Sequence, residues 1–185
     1  KDLSINFPIY LTGDITIPDS VTLLLESGAK IYTIPLVDET KGGKDTLRTE
    51  IRVYGKVIAK GEKNQEIIFG SFTDTPSDSD WYGIEVFKGG EVIFEKVHLS
   101  NSLYGTHSEG GKISLKETSI TDNQKSGVFS EGELTVENCF FENNGESAIF
   151  CQRNVAEVTN STIKVNGECG IKPVSYTHLR AHETR

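Results

Sequence analysis

The feature that most constrains this chain is a period. Four segments align on one another: YGIEVFKGGEVIFEKVHLSNS from Tyr82, YGTHSEGGKISLKETSITDN from Tyr104, SGVFSEGELTVENCFFENN from Ser126 and SAIFCQRNVAEVTNSTIKVN from Ser147. A fifth opens at CGIKP. A small residue recurs at Gly83, Gly105, Gly127, Ala148 and Gly170, spaced 22, 22, 21 and 22 residues apart. Phe94, Leu115, Val136 and Val158 make a second column, and Leu99, Ile120, Phe141 and Ile163 a third. A unit this short cannot bury its own apolar face, so the copies must stack on one another.

Within each unit the apolar residues alternate, which is the signature of strands. ELTVENCFFENN shows it best: Leu134 and Val136 point one way, Glu137 and Asn138 turn the chain, and Cys139 and Phe141 point inward again. A third short strand, AIFC, follows the ENNGES turn. The expectation is an all-β fold, a single-stranded parallel β-helix with coils of about 21–22 residues stacked at about 4.8 Å. Asparagine tolerates left-handed backbone, which suits it to the turns. Asn138 and Asn160 fall at equivalent tight turns, and Asn123, Asn144 and Asn166 form a second turn column. The first third is less regular. GDITIPDSVTLLLESGAKI and IRVYGKVIAKGEKNQEIIFGS read as strands broken by glycine, with DETKGGKDTLRTE a polar loop leaving the coil. No segment holds a 3.6-residue apolar stripe with caps, so helices are not expected.

The same residues, followed by DSDWYGIEV, resemble bacterial right-handed parallel β-helix repeat proteins of the pectate-lyase-like superfamily. The resemblance spans roughly Leu11 to Pro173. It implies an exported or cell-surface bacterial protein. It does not assign chemistry, because the fold hosts polysaccharide lyases, glycoside hydrolases, adhesins and members without known activity. The final residues, VSYTHLRAHETR from Val174 to Arg185, share neither the glycines, the asparagines nor the spacing of the coil. They resemble a translated sequencing adapter. The expectation is a β-helix over residues 1–173, incomplete at its C-terminal end, followed by a non-native tail over 174–185. The HxxxH pair His178 and His182 is assigned to that tail rather than to a metal. The chain starts at Lys1 and has no methionine, so it is read as part of a longer product.

Composition narrows the function. The net charge of −8 disfavours nucleic-acid backbones and anionic membranes, and no apolar run approaches membrane-span length. Cys139, Cys151 and Cys169 form no CxxC pair, so they read as buried free thiols rather than zinc ligands. If Ile84, Val86, Val128, Ile149 and Cys151 point in, the outward column of that strand is Glu85, His107, Phe129, Phe150 and Lys172. Glu85 beside His107 is a candidate catalytic acid/base pair, against a solvated contact on a sheet surface. Phe129 over Phe150 is a candidate sugar-stacking platform, against a structural aromatic stack. Tyr82 and Tyr104 extend the aromatic character, and with Phe129, Phe150 and Lys172 complete the candidate ligand-binding set. His98 reads as a surface residue.

The motifs that a resemblance to pectin-degrading hydrolases requires (Asn-Thr-Asp, Asp-Asp, Gly-His-Gly) do not occur. Arg48, Arg52 and Arg153 do not share a column that could neutralise a uronate. In FTDTPSDSDWYG, Asp74, Asp78 and Asp80 could gather a calcium ion, against ordinary turn formation, and Trp81 is expected to cover the coil. No other cofactor is expected. The reading is a non-catalytic exported scaffold with a polysaccharide or cell-surface glycan as its partner. The alternatives are a polysaccharide lyase or glycoside hydrolase working through the outward column, and an adhesin.

Overall fold

The computed structural model describes residues 2–152, 155–174 and 178–182. Every named element is a strand, and the strands form three parallel sheets. Sheet A stacks Asp2–Ile5, Thr22–Leu25, Lys56–Lys60, Glu91–Glu95, Lys112–Lys116, Leu134–Glu137, Val155–Thr159 and His178–His182. Sheet B stacks Ile9–Leu11, Lys30–Thr33, Ile67–Ser71, Val97–Ser100, Ser119–Thr121, Phe140–Glu142 and Thr162–Lys164. Sheet C stacks Ile15–Ile17, Glu50–Val53, Gly83–Phe87, Thr106–Glu109, Val128–Ser130, Ser147–Gln152 and Cys169–Val174. The chain visits A, B and C in turn and then begins the next coil, which makes a right-handed parallel β-helix. Among the described residues no helix is long and apolar enough to cross a membrane.

The columns read from the repeat are rungs of the ladder. Phe94 pairs with Leu115, Leu115 with Val136 and Val136 with Val158 in sheet A. Leu99, Ile120, Phe141 and Ile163 do the same in sheet B. Side chains alternate across a strand, so these columns enter the lumen. Leu99, Ile120 and Phe141 are fully buried there. Trp81 is fully buried as well and donates its indole N–H to Ser100 O at 2.9 Å, so it belongs to the core rather than covering it.

The small column has a steric cause. A Cβ at Gly83, whose φ is +126°, would lie 1.8 Å from Tyr104 O, and one at Gly105 would lie 2.2 Å from Gly127 O. The backbone of the next coil occupies the side-chain space. The asparagines divide into two kinds. Asn138 and Asn160 adopt left-handed backbone at φ 53° and 50°. Asn123, Asn144 and Asn166 instead form an internal ladder: Asn123 Nδ2 donates to Asn144 Oδ1 at 2.8 Å, and Asn144 Nδ2 to Asn166 Oδ1 at 2.9 Å.

The strand Cys169–Val174 includes Val174, the first residue of the segment read as a tail. The backbone of His178–His182 pairs in parallel with Val155–Thr159. The side chains of His178 and His182, like Arg153, lie outside the described residues.

Candidate functional site

Sheet C carries the outward column in unbroken register. Thr16, Arg52, Glu85, His107, Phe129, Phe150 and Lys172 are successive partners. Their neighbours Ile84, Val86, Val128, Ile149 and Cys151 are buried in the lumen, as alternation requires. The column therefore brings Glu85 and His107 together, with His107 Nδ1 3.5 Å from Glu85 Oε1.

Glu85 points out of the lumen and is nonetheless 1% exposed. The contact is not a solvated one. The polar loop between Lys30–Thr33 and Glu50–Val53 folds back over this part of sheet C and sets Lys44 Nζ 2.7 Å from Glu85 Oε1. Lys44 also bonds Glu109, the end residue of the next strand. The loop holds this shape because Glu50, fully buried, accepts the N–H groups of Lys44 and Asp45, each at 2.7 Å. Asp14 Oδ1 accepts the Glu50 N–H at 2.8 Å. Arg48 bridges the loop to Ser79 O and to Asp45, both at 2.7 Å. Gly43 takes φ 62°, and a Cβ there would meet Glu50 Oε2 at 2.1 Å, which accounts for glycine in KGGK.

Burial governs the electrostatics. It pushes the Glu85 carboxyl above its ordinary range, against the pull of Lys44. Burial, followed by repulsion from Lys44, pushes His107 down to about 4, so its imidazole is neutral at pH 7. Burial likewise raises Glu50. A carboxyl with raised proton affinity beside a neutral imidazole is an arrangement that acid/base sites also use. Reaching a substrate would require Lys44 to leave.

The aromatic part of the column is continuous. Tyr104 and His107 rings lie 5.0 Å apart, His107 and Phe129 4.6 Å, and Phe129 and Phe150 4.7 Å with planes 7° apart. Lys172 Nζ sits 5.6 Å from the Phe150 ring centre and Lys125 Nζ 5.1 Å from that of Tyr104. Phe129 lies between Phe150 and the imidazole, and Phe150 between Phe129 and an ammonium group. A sugar approaching from solvent would therefore meet ring edges rather than faces. Tyr82 is buried, and its ring lies 5.8 Å from that of Tyr104. Lys172 is exposed and paired with Glu168 at 2.7 Å.

The remaining candidates lie apart from this column. Asp80 is buried and accepts the Ser77 N–H at 3.0 Å, while Asp74 and Asp78 are exposed. Among the described residues no three His, Cys, Asp or Glu side chains are grouped to hold a metal ion, so these aspartates are not drawn together. His98 is half-buried rather than on the surface, and burial lowers its pKa. Cys139 and Cys151 are buried and pushed up to about 11, which makes them unreactive thiols; Cys169 is only half-buried.

Two groups of residues escape the sequence reading. One is the roof over Glu85, namely Lys44, Glu50 and Glu109. The other is an aromatic group on sheet B, Tyr10, Tyr32 and Phe72, whose first two members are separated by the 22-residue period.

Residues 72–172 match the family described as a right handed beta helix region. The chain belongs to that family. The match covers the regular coils, including Glu85, His107 and the whole aromatic row, and leaves the roofing loop outside it. Searches of curated proteins and of solved structures gave no significant match. This β-helix is therefore placed by its fold, and its chemistry must be argued from its own surface.

Proposed function

We propose that this β-helix is a non-catalytic scaffold of an exported or cell-surface bacterial protein, with carbohydrate as the ligand of its outer faces. One observation carries the non-catalytic part: the only acid/base pair on the outward column is sealed, with Glu85 1% exposed beneath Lys44. General acid/base work needs a group within hydrogen-bond reach of the substrate proton. The net charge of −8 also works against polyuronate substrates unless cations intervene. Export and surface location rest on the resemblance to bacterial β-helix repeat proteins. The test is incubation with a panel of neutral and uronate polysaccharides, following reducing ends and unsaturated-uronate absorbance. The expected result is no release above a buffer blank, with His107→Ala indistinguishable from the parent. Release that disappears in His107→Ala would overturn the reading.

A specific observation favours the enzyme as second reading. At 3.5 Å separation, burial raises the proton affinity of Glu85 and lowers that of His107 to about 4, the kind of perturbation that active sites use. A lyase or hydrolase on this column would need the loop carrying Lys44 to swing clear, and Lys44→Ala would then raise its rate.

A further inference from the structure

We infer that the cleft on sheet B between Tyr10, Tyr32 and Phe72 is a binding site for a neutral pyranose ring. This rests on carbohydrate being the ligand of the scaffold, and it moves the contact from sheet C to sheet B.

The cleft follows from an interruption of the ladder. Tyr10 and Tyr32 are rung partners on the outer face of sheet B, because Ile31 and Thr33 take the inner one. The next partner of Tyr32 is Gly70, so no side chain continues the column. The chain then leaves the sheet after Ser71, and Phe72 turns back towards the tyrosines, anchored by its N–H to Thr33 O at 2.8 Å. Its ring meets Tyr10 edge-on, with centroids 4.6 Å apart and planes at 73°, and lies 5.9 Å from Tyr32. The result is an open cleft of ≈ 660 Å³ that Lys30 and Asp74 also line.

The chemistry of the walls selects the ligand. Tyr10 is 51% exposed and Phe72 52% exposed, and Tyr10 stacks on Tyr32 only loosely, at 5.9 Å and 26°. More ring surface is therefore available here than on Phe129 and Phe150, which stack at 4.7 Å and 7°. The three rings lie 4.6 to 5.9 Å apart, in contact along one wall of the cleft rather than arranged around it as a cation cage would be, and Lys30 repels a cation. An anion meets Asp74 and a molecule of net charge −8. A neutral ring with an apolar face and a rim of hydroxyls satisfies all the walls. Its C–H face lies on an aromatic ring, while its hydroxyls donate to the Asp74 carboxylate and accept from the Lys30 ammonium. Neither charged group forms an ion pair that would compete among the described contacts.

The experiment is saturation-transfer NMR and calorimetry on the full chain with four probes: cellohexaose, mannohexaose, xylohexaose and hexagalacturonate. At least one neutral hexasaccharide should bind, and hexagalacturonate should bind more weakly. Tyr10→Ala and Phe72→Ala should each weaken binding at least about tenfold, the loss of one stacked ring. Asp74→Asn should weaken it severalfold, with circular dichroism unchanged in all three. Phe150→Ala should leave affinity within about twofold, since its faces are already occupied. Absence of binding to every neutral probe, binding of the uronate alone, or binding that survives the Tyr10→Ala/Phe72→Ala pair would overturn the assignment. Binding lost in Phe150→Ala instead would return the ligand to sheet C, overturning the cleft but leaving the scaffold reading intact. Cleavage of a bound probe would count against the non-catalytic reading alone.

Discussion

Val165 occupies a left-handed turn position that its neighbours fill with better-suited residues. Asn101, Asp122, Asn143 and Val165 follow one another from coil to coil at φ 64°, 55°, 55° and 45°. Asparagine and aspartate enter this region with local hydrogen bonds, whereas a β-branched side chain crowds the following carbonyl. Val165 gains nothing in return, because 76% of it is exposed. Val165→Asn should therefore stabilise the fold by about 1 kcal/mol, read as a higher urea midpoint at unchanged slope. The reverse change, Asn143→Val, should lower the midpoint by a similar amount. A midpoint that stays put in both variants would mean that the turn carries no strain.

The loop over sheet C acts as one element, and Lys44 is its contact with the column. Removing the ammonium leaves the buried Glu85 with only the weaker pull of its rung neighbour Arg52. Breaking a fully buried pair costs several kcal/mol, but Lys44 is itself 37% exposed and partly screened, so Lys44→Met should cost about 1–2 kcal/mol at pH 7. The pH dependence has a definite sign. Burial already raises Glu85 in the folded state above its ordinary 4.5, and loss of Lys44 raises it further. The folded form then holds a proton that the unfolded form releases. The deficit of Lys44→Met should be absent below about pH 4.5 and grow as pH rises through the folded pKa. Urea titrations of parent and variant at pH 4 and pH 7.5 measure it; equal differences at both pH values would exclude Glu85 as the group concerned.

This loop also marks the boundary of what the sequence makes legible. Glu85 and His107 are 22 residues apart, and in a β-helix that spacing is a contact, so their meeting can be read directly. The core columns are legible for the same reason. Lys44 belongs to a segment outside the repeat, so no spacing predicts where its ammonium lands, and the burial of Glu85 is hidden with it. The sheet B cleft is half-legible. Tyr10 and Tyr32 keep the period, but Ile31 pairs with Phe69, 38 residues on, because the same loop intervenes. Counting therefore loses Phe72.

At the scale of the whole molecule, the strands of each coil pair only with those of the coils before and after it. Among the described residues only loops reach further, as Lys44 does to Glu109 and Phe72 to Tyr10. The stability of the regular coils should therefore be close to a sum of neighbour terms. Phe141 tests this. It is fully buried and its rung partners are Ile120 and Ile163, in the coils on either side. Phe141→Ala removes a large side chain from a lumen that the backbone ladder prevents from collapsing, and should cost about 3–5 kcal/mol. Phe141→Leu keeps most of the volume and should cost clearly less. In a molecule coupled only through neighbours, the loss is local. Amide exchange should accelerate in Ser119–Thr121, Phe140–Glu142 and Thr162–Lys164, while Lys30–Thr33, three rungs before Ser119–Thr121 in the same sheet, keeps its protection. Equal acceleration in all seven strands of sheet B would show instead that the coils unfold as one unit. The buried asparagine ladder, which ties three successive coils through side-chain bonds, would then be the first place to look for the longer coupling.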